Sequence, residues 1–283
     1  MNIRTDLALE KAEIAKNNTN GMAVEKEKHG QITVTRLDIL DRKAEKRLRS
    51  PCGRYITIEV PRFTRDAGLE RDGAVSLAKE LRRMLPRRLD SVFVAGLGND
   101  SITSDSLGPK VAERIIATRH ISEEMAEKLG LGKLLPVSSL ATGVLGQTGI
   151  EAGEIILGTV DRIKPSAVVV IDALAARSIE RLGSTVQLTD TGISPGSGVG
   201  NARMSINSES LGVPVVAIGV PTVVDIKTLL SDIGQNKVDN VPDMIVTPKE
   251  IDMMIDRAAE MIAVGINLCL QKNLSIDTIL GLS

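Results

Sequence analysis

The sequence predicts an α/β fold with a mainly parallel or mixed central sheet and helices on both faces. Val168, Val169, Val170 and Ile171 form a continuous β-branched run, the pattern of a strand buried on both faces in the middle of a parallel sheet. From Ser91 onward, strand-like runs alternate with loops and helix-compatible stretches, which is the order of repeated βα units. With 283 residues, 42% of them hydrophobic, the chain can bury a substantial core, and its length suits one large α/β domain.

Taken in order, residues 1 to about 50 are polar and of mixed charge, with helical character from Asp6 to Lys16 and strand-like alternation from Gly30 to Leu37. Asp41 to Ser50 is a basic cluster that reads as a solvated face. Tyr55 to Val60 reads as a strand, Gly73 to Met84 as a helix ended by Pro86, and Ser91 to Gly96 as a strand followed by the turn Leu97 to Ser104. The strand Val168–Ile171 ends at Asp172, and Ala173 to Arg181 is helix-compatible. Ser184 to Leu188 and Val215 to Val220 read as later strands; the Gly-rich stretch Thr189 to Asn201 between them is too long for a simple connector. Thr247 and Pro248 suit the N-cap and first position of a closing helix through Ile266. Val215 to Val224 and this last helix are apolar enough to contribute an interface between copies of the chain.

Composition narrows the function. Net charge is −1 and the only aromatics are Tyr55, Phe63 and Phe93, so the chain offers neither a phosphate-neutralising surface nor a base-stacking platform for nucleic acid. Cys52 and Cys269 form no C-x-x-C motif, the N-terminus lacks an apolar signal core, and no apolar run approaches a membrane span of roughly 20 residues. The expectation is a soluble protein of a reducing, cytoplasmic interior.

Two acids stand at corresponding places in the βα pattern: Asp172 at the end of its strand, and Asp105 after the turn that follows Gly96. Open α/β sheets place ligands outside the carboxyl ends of their strands, so this pair is the best catalytic lead. Two carboxyls in one cleft can divide the work of amide hydrolysis, one taking a proton from water and the other protonating the carbonyl oxygen and then the leaving nitrogen. Oxyanion donors would come from backbone N–H groups of Gly-rich loops, with Gly146, Thr148, Gly149, Gly196 and Gly198 as candidates. Taken singly, Asp105 also reads as a helix N-cap and Asp172 as a partner of Arg177.

Other motifs are weaker. Gly96-Leu-Gly-Asn-Asp-Ser101 has the first two glycines of a dinucleotide fingerprint but Ser101 in place of the third. Gly196 to Gly200 lacks the Gly-Lys-Ser/Thr ending of a phosphate loop. Gly192-Ile-Ser-Pro-Gly196 spells a nucleophile elbow, but Pro195 removes the N–H its oxyanion hole needs and no histidine follows. Cys52 with His29 or His120 is a minor nucleophile reading, and an oxygen-ligand metal site from Asp105, Asp172 and Glu151 or Asp190 is a minor alternative. A non-catalytic Rossmann-like module holding a nucleotide or anion is the competing class.

Longer segments carry a family likeness. Arg4–Glu10, Gly96–Asn99, Asp105–Pro109, Thr118–His120, Gly146–Glu151, Ile171–Arg181, Asp190–Asn201, Gly219–Asp225 and Val246–Asp252 together resemble the germination proteases of spore-forming bacteria, over nearly the whole chain. The resemblance implies an atypical aspartic endopeptidase, on a fold similar to the hydrogenase maturation proteases, that degrades small acid-soluble spore proteins in the spore core without a cofactor or metal. It puts the catalytic pair on Asp105 and Asp172. It implies a homotetrameric zymogen of the forespore that removes its own propeptide, residues 1–6, at the Asp6–Leu7 bond, leaving 7–283 as a single peptidase domain. Where this family carries a long insertion, the chain has only the short connection Asp232 to Val241.

Overall fold

The β-branched run at the centre of the chain becomes an inner strand of a sheet that has nine strands among the described residues. The computed structural model describes residues 5–14, 20–63, 69–195, 204–232 and 244–282. Its strands are β1 (Met22–His29), β2 (Ile32–Ile39), β3 (Gly53–Glu59), β4 (Val92–Gly96), β5 (Val137–Ala141), β6 (Ala167–Ala176), β7 (Thr185–Thr189), β8 (Val215–Asp225) and β9 (Ile245–Val246). The helices are α1 (Ala8–Ile14), α2 (Arg42–Leu48), α3 (Leu69–Met84), α4 (Leu107–Glu113), α5 (Glu123–Lys128), α6 (Leu145–Thr148), α7 (Ala152–Ile163), α8 (Ser208–Leu211), α9 (Ile226–Asp232), α10 (Ile251–Leu270) and α11 (Ile276–Leu282).

The strand order is β1-β2-β3-β7-β8-β6-β4-β5, with β9 beside β8. β4 runs parallel to β5 and β6, and β6 parallel to β8. The pairings β1–β2, β2–β3, β3–β7, β7–β8 and β8–β9 are antiparallel. The sheet is therefore mixed: a parallel half and an antiparallel half meet at the β7–β8 seam.

Successive side chains on a strand face opposite ways, and β6 supplies two cores in this manner. Ala167, Val169 and Ile171 pack with residues of α3, α4 and α10, while Val168 and Val170 pack with Ala152, Ile156 and Val160 of α7 and Leu211 of α8. Burial on both faces is why the run shows no polar alternation, and each such side chain contributes about 1.5–3 kcal/mol. In the antiparallel half, β2 and β3 lie between α3 and the small cluster formed by α1 and α2. The outer strand β1 is largely exposed and carries Glu25, Lys26, Glu27 and Lys28.

Two expectations change. Ala173–Ala176 is not helical; β6 continues through it with an irregularity between Leu174 and Ala175. Ala and Leu favour helix locally, but pairing with β8 satisfies this backbone and overrides the propensity. Thr247 does not cap the closing helix. Ile245 and Val246 pair with Asp225 and Val224, so Thr247 and Pro248 form a connector and α10 begins at Ile251 after Glu250. The apolar residues of Val215–Val224 are buried inside the sheet, and most of α10 is buried against the core.

Candidate active site

The site grows from the carboxyl ends of β4 and β6. After Gly96 the chain turns through Leu97–Ile102 into a short 3-10 turn, Thr103–Asp105, and then into α4. Two glycines let backbone meet backbone here. Gly98 has φ +111°, where a Cβ would lie 2.0 Å from the Asp105 carbonyl oxygen; a Cβ on Gly108 would lie 2.1 Å from the Leu97 oxygen and 2.8 Å from that of Ile171. The glycines of the fingerprint-like motif thus seat the first turn of α4 against the ends of β4 and β6. Leu97 N donates to Ile171 O at 2.8 Å, and Thr222 Oγ1 on β8 donates to Ser104 O at 2.8 Å. Asp105 does not cap α4. Ser106 is the N-cap, without a side-chain bond, and Asp105 Oδ2 accepts from Asn99 N at 2.7 Å.

Asp172, 7% exposed, accepts from Ala173 N through Oδ1 at 2.9 Å. It pairs in register with Gly219 of β8, and Gly219 pairs with Gln187 of β7. Residues paired across a sheet project to the same face, so Asp172 and Gln187 flank a glycine on one rung. Asp105, Asp172 and Gln187 all line a cleft of about 820 Å³.

A stretch of the chain's own N-terminus also lines this cleft. Asp6 N donates to Ala175 O at 2.9 Å, and Ala175 N donates to Asp6 Oδ2 at 2.8 Å. Leu7, 1% exposed, sits among Leu174, Ala176, Leu182 and Val224. Ala8 N donates to Gln187 Oε1 at 2.8 Å, and Gln187 Nε2 donates to Asp6 O at 3.3 Å. Buried Glu10 fixes the segment further on: its carboxylate accepts from the Thr5 hydroxyl, from Arg177 N at 2.8 Å and from Ser178 N at 3.0 Å. Lys11 lines the cleft too; burial pushes its ammonium below the usual range, and the Asp6 carboxylate acts in the opposite sense.

The other described sequence candidates do not line the cleft. Gly146, Thr148 and Gly149 belong to α6 and its cap, and only Gly143 and Val144 of that region reach the cleft. Gly196 and Gly198 lie outside the described residues. Glu151 stands at the start of α7, and Asp190 accepts from Arg54 N at 2.8 Å. Among the described residues no three His, Cys, Asp or Glu side chains are grouped as a metal site would require. Sequence reasoning missed Gln187, Lys11 and the Ala175 backbone. No local pattern marks Gln187, because its partners Asp6 and Ala8 lie about 180 positions away in the chain.

The cleft of this α/β domain thus holds a segment of peptide by hydrogen bonds to its backbone, beside acid side chains. A family model described as germination protease matches residues 2–241. Germination proteases of Caldanaerobacter subterraneus subsp. tengcongensis, Clostridium perfringens strain 13 and Bacillus licheniformis are 44%, 42% and 36% identical, covering 97%, 98% and 97% of this chain and 96%, 98% and 95% of theirs. The chain belongs to the germination protease family, and is a protease of germination. Among solved structures, the [NiFe] hydrogenase maturation protease HycI of Thermococcus kodakarensis overlaps 66% of this chain and 98% of its own at 21% identity, with a TM-score of 0.39. No described helix is long and apolar enough to cross a membrane.

Proposed function

We propose that this chain is an endopeptidase that begins the breakdown of small acid-soluble spore proteins in the germinating spore, with Asp105 and Asp172 as its general acid and base and no metal or cofactor. It is made in the forespore as a homotetrameric zymogen that matures by cutting Asp6–Leu7, leaving residues 7–283 as one peptidase domain. The observation that supports this reading is the sharing of one cleft by Asp105, Asp172 and Asp6, the residue before the processing bond. An acid followed by an apolar residue is fixed there just ahead of α1, the Asp6 N–H and carboxylate bonded to the Ala175 backbone and the Leu7 side chain buried.

In this mechanism one carboxylate takes a proton from water as its oxygen adds to the carbonyl carbon; the other, protonated, supplies the proton that the leaving nitrogen needs. The test is cleavage of a purified small acid-soluble spore protein in the presence of a chelator. Wild-type protein cuts regardless of chelator, and Asp105→Asn and Asp172→Asn each lower the rate by about 10³-fold or more, the scale on which removal of an essential acid or base acts. Wild-type rates from either variant overturn the pair, and loss of activity with chelator overturns the metal-free mechanism.

A further inference from the structure

We propose that Gln187 is the oxyanion donor and positioning group for the chain's own maturation cut, a role that rests on the reading of Asp6–Leu7 as the processing bond. Its side-chain amide grips both sides of Leu7. Nε2 donates to Asp6 O, the carbonyl oxygen of that bond, at 3.3 Å, and Oε1 accepts from Ala8 N at 2.8 Å. The partners fix the orientation of the amide: a backbone N–H only donates and a carbonyl only accepts, so the nitrogen must face Asp6. The amide therefore clamps the backbone on either side of Leu7, while Ala175 accepts from Asp6 N and donates to the Asp6 carboxylate.

Register carries the argument to the catalytic pair. Gln187, Gly219 and Asp172 occupy one rung across β7, β8 and β6, so their backbones are separated by about two strand spacings, roughly 10 Å. Gly219 puts no side chain between them. The scissile carbonyl is thus held from the β7 side, in the cleft that Asp172 and Asp105 also line. Gln187 is 6% exposed, and a donor shielded from water stabilises developing charge more than an exposed one.

The step balances as ordinary amide hydrolysis. Water oxygen adds to the Asp6 carbonyl carbon and one proton passes to a carboxylate. The carbonyl π electrons move onto oxygen, where the Gln187 N–H donates. Collapse restores the C=O, breaks the bond to Leu7 nitrogen and delivers a proton to that nitrogen, giving an Asp6 carboxyl terminus and a Leu7 amine. Ala8 remains on Oε1 through α1, while departure of Asp6 frees Nε2.

The test follows formation of the Leu7 N-terminus by mass spectrometry in wild type, Gln187→Leu and Gln187→Glu, with thermal unfolding as a check on folding. Loss of one oxyanion donor costs about 10²–10³-fold in rate, and Gln187→Leu should be slowed by that factor at every pH. Gln187→Glu should be as slow at neutral pH, where a carboxylate faces the carbonyl oxygen. It should recover relative to wild type as the pH is lowered and its carboxyl gains an O–H, a response a purely structural role would not give. Trimming at Leu7 by folded Gln187→Leu at the wild-type rate overturns the role of Gln187 alone. If Gln187→Leu fails to fold, a pH-independent ratio between Gln187→Glu and wild type does the same. Wild-type maturation at a different bond overturns the processing site itself, and this role with it.

Discussion

The two halves of the sheet are held in different ways. In the parallel half, β4, β6 and α4 meet backbone to backbone through glycines, and the side chains between them are apolar. In the antiparallel half, β2 and α3 are tied by charge: Arg36, 8% exposed, reaches Glu80, 1% exposed, through Nε at 2.9 Å and Nη2 at 2.7 Å, and Glu27 through Nη2 at 2.8 Å. Ion pairing to Glu80 and Glu27 pushes the Arg36 guanidinium pKa upward, and that pairing lowers the pKa of Glu27. The half that carries the acids brings backbone against backbone with no room for a methyl group, whereas the half that frames it adds a polar network to its apolar core. The first is fixed by close steric contact, whereas the second adds a buried ion-pair network to its apolar packing.

The largest expected effect is on the glycine contact. Gly108→Ala would drive a Cβ to within 2.1 Å of Leu97 O, costing about 3 kcal/mol as overpacking, and should abolish cleavage by displacing the turn that bears Asp105; retained activity in a variant of normal thermal stability would break the contrast. In the antiparallel half, Glu80→Ala leaves the buried Arg36 with Glu27 and Glu25 as its carboxylate partners. A loss of about 2–3 kcal/mol is expected, toward the low end for a broken buried pair because those partners remain. Denaturant titration measures that loss, and the folded variant should cleave at the wild-type rate.

A smaller effect concerns Tyr55, next to the seam. Burial pushes its phenol up to about 12, while its oxygen donates to Pro51 O at 2.9 Å and accepts from Thr191 at 3.2 Å. The raised folded value means this contribution is whole below the unfolded pKa of about 10 and is lost as pH rises toward 12, by roughly 2–3 kcal/mol. Tyr55→Phe should flatten the alkaline arm of the stability profile; an unchanged arm would show that the phenol ionises freely in the fold.

The same contrast explains what was legible in the sequence. The run Val168–Ile171 announces itself because a strand covered on both faces has no polar alternation, and Asp172 and Asp105 follow from where βα units end. The glycines before Asp105 were visible, but their use, the close approach of α4, depends on a backbone contact that no motif encodes. Ala173–Ala176 misleads because four helix formers are recruited as strand by β8, some 45 residues later. Thr247-Pro248 carries a sound capping signal that is overridden by the two-residue pairing of β9. Gln187 was unreadable for the same reason: its importance comes from a segment at the other end of the chain.

The outermost strand has a consequence for how the molecule keeps its own company. A free sheet margin invites a neighbour to add a strand, and natural proteins discourage this with charged side chains, lysine above all. β1 presents Glu25, Lys26, Glu27 and Lys28 in unbroken succession along that margin, so an incoming strand of ordinary apolar composition would strip water from charges without replacing it. Among the described residues the sheet ends at this strand, and its charges disfavour the addition of another.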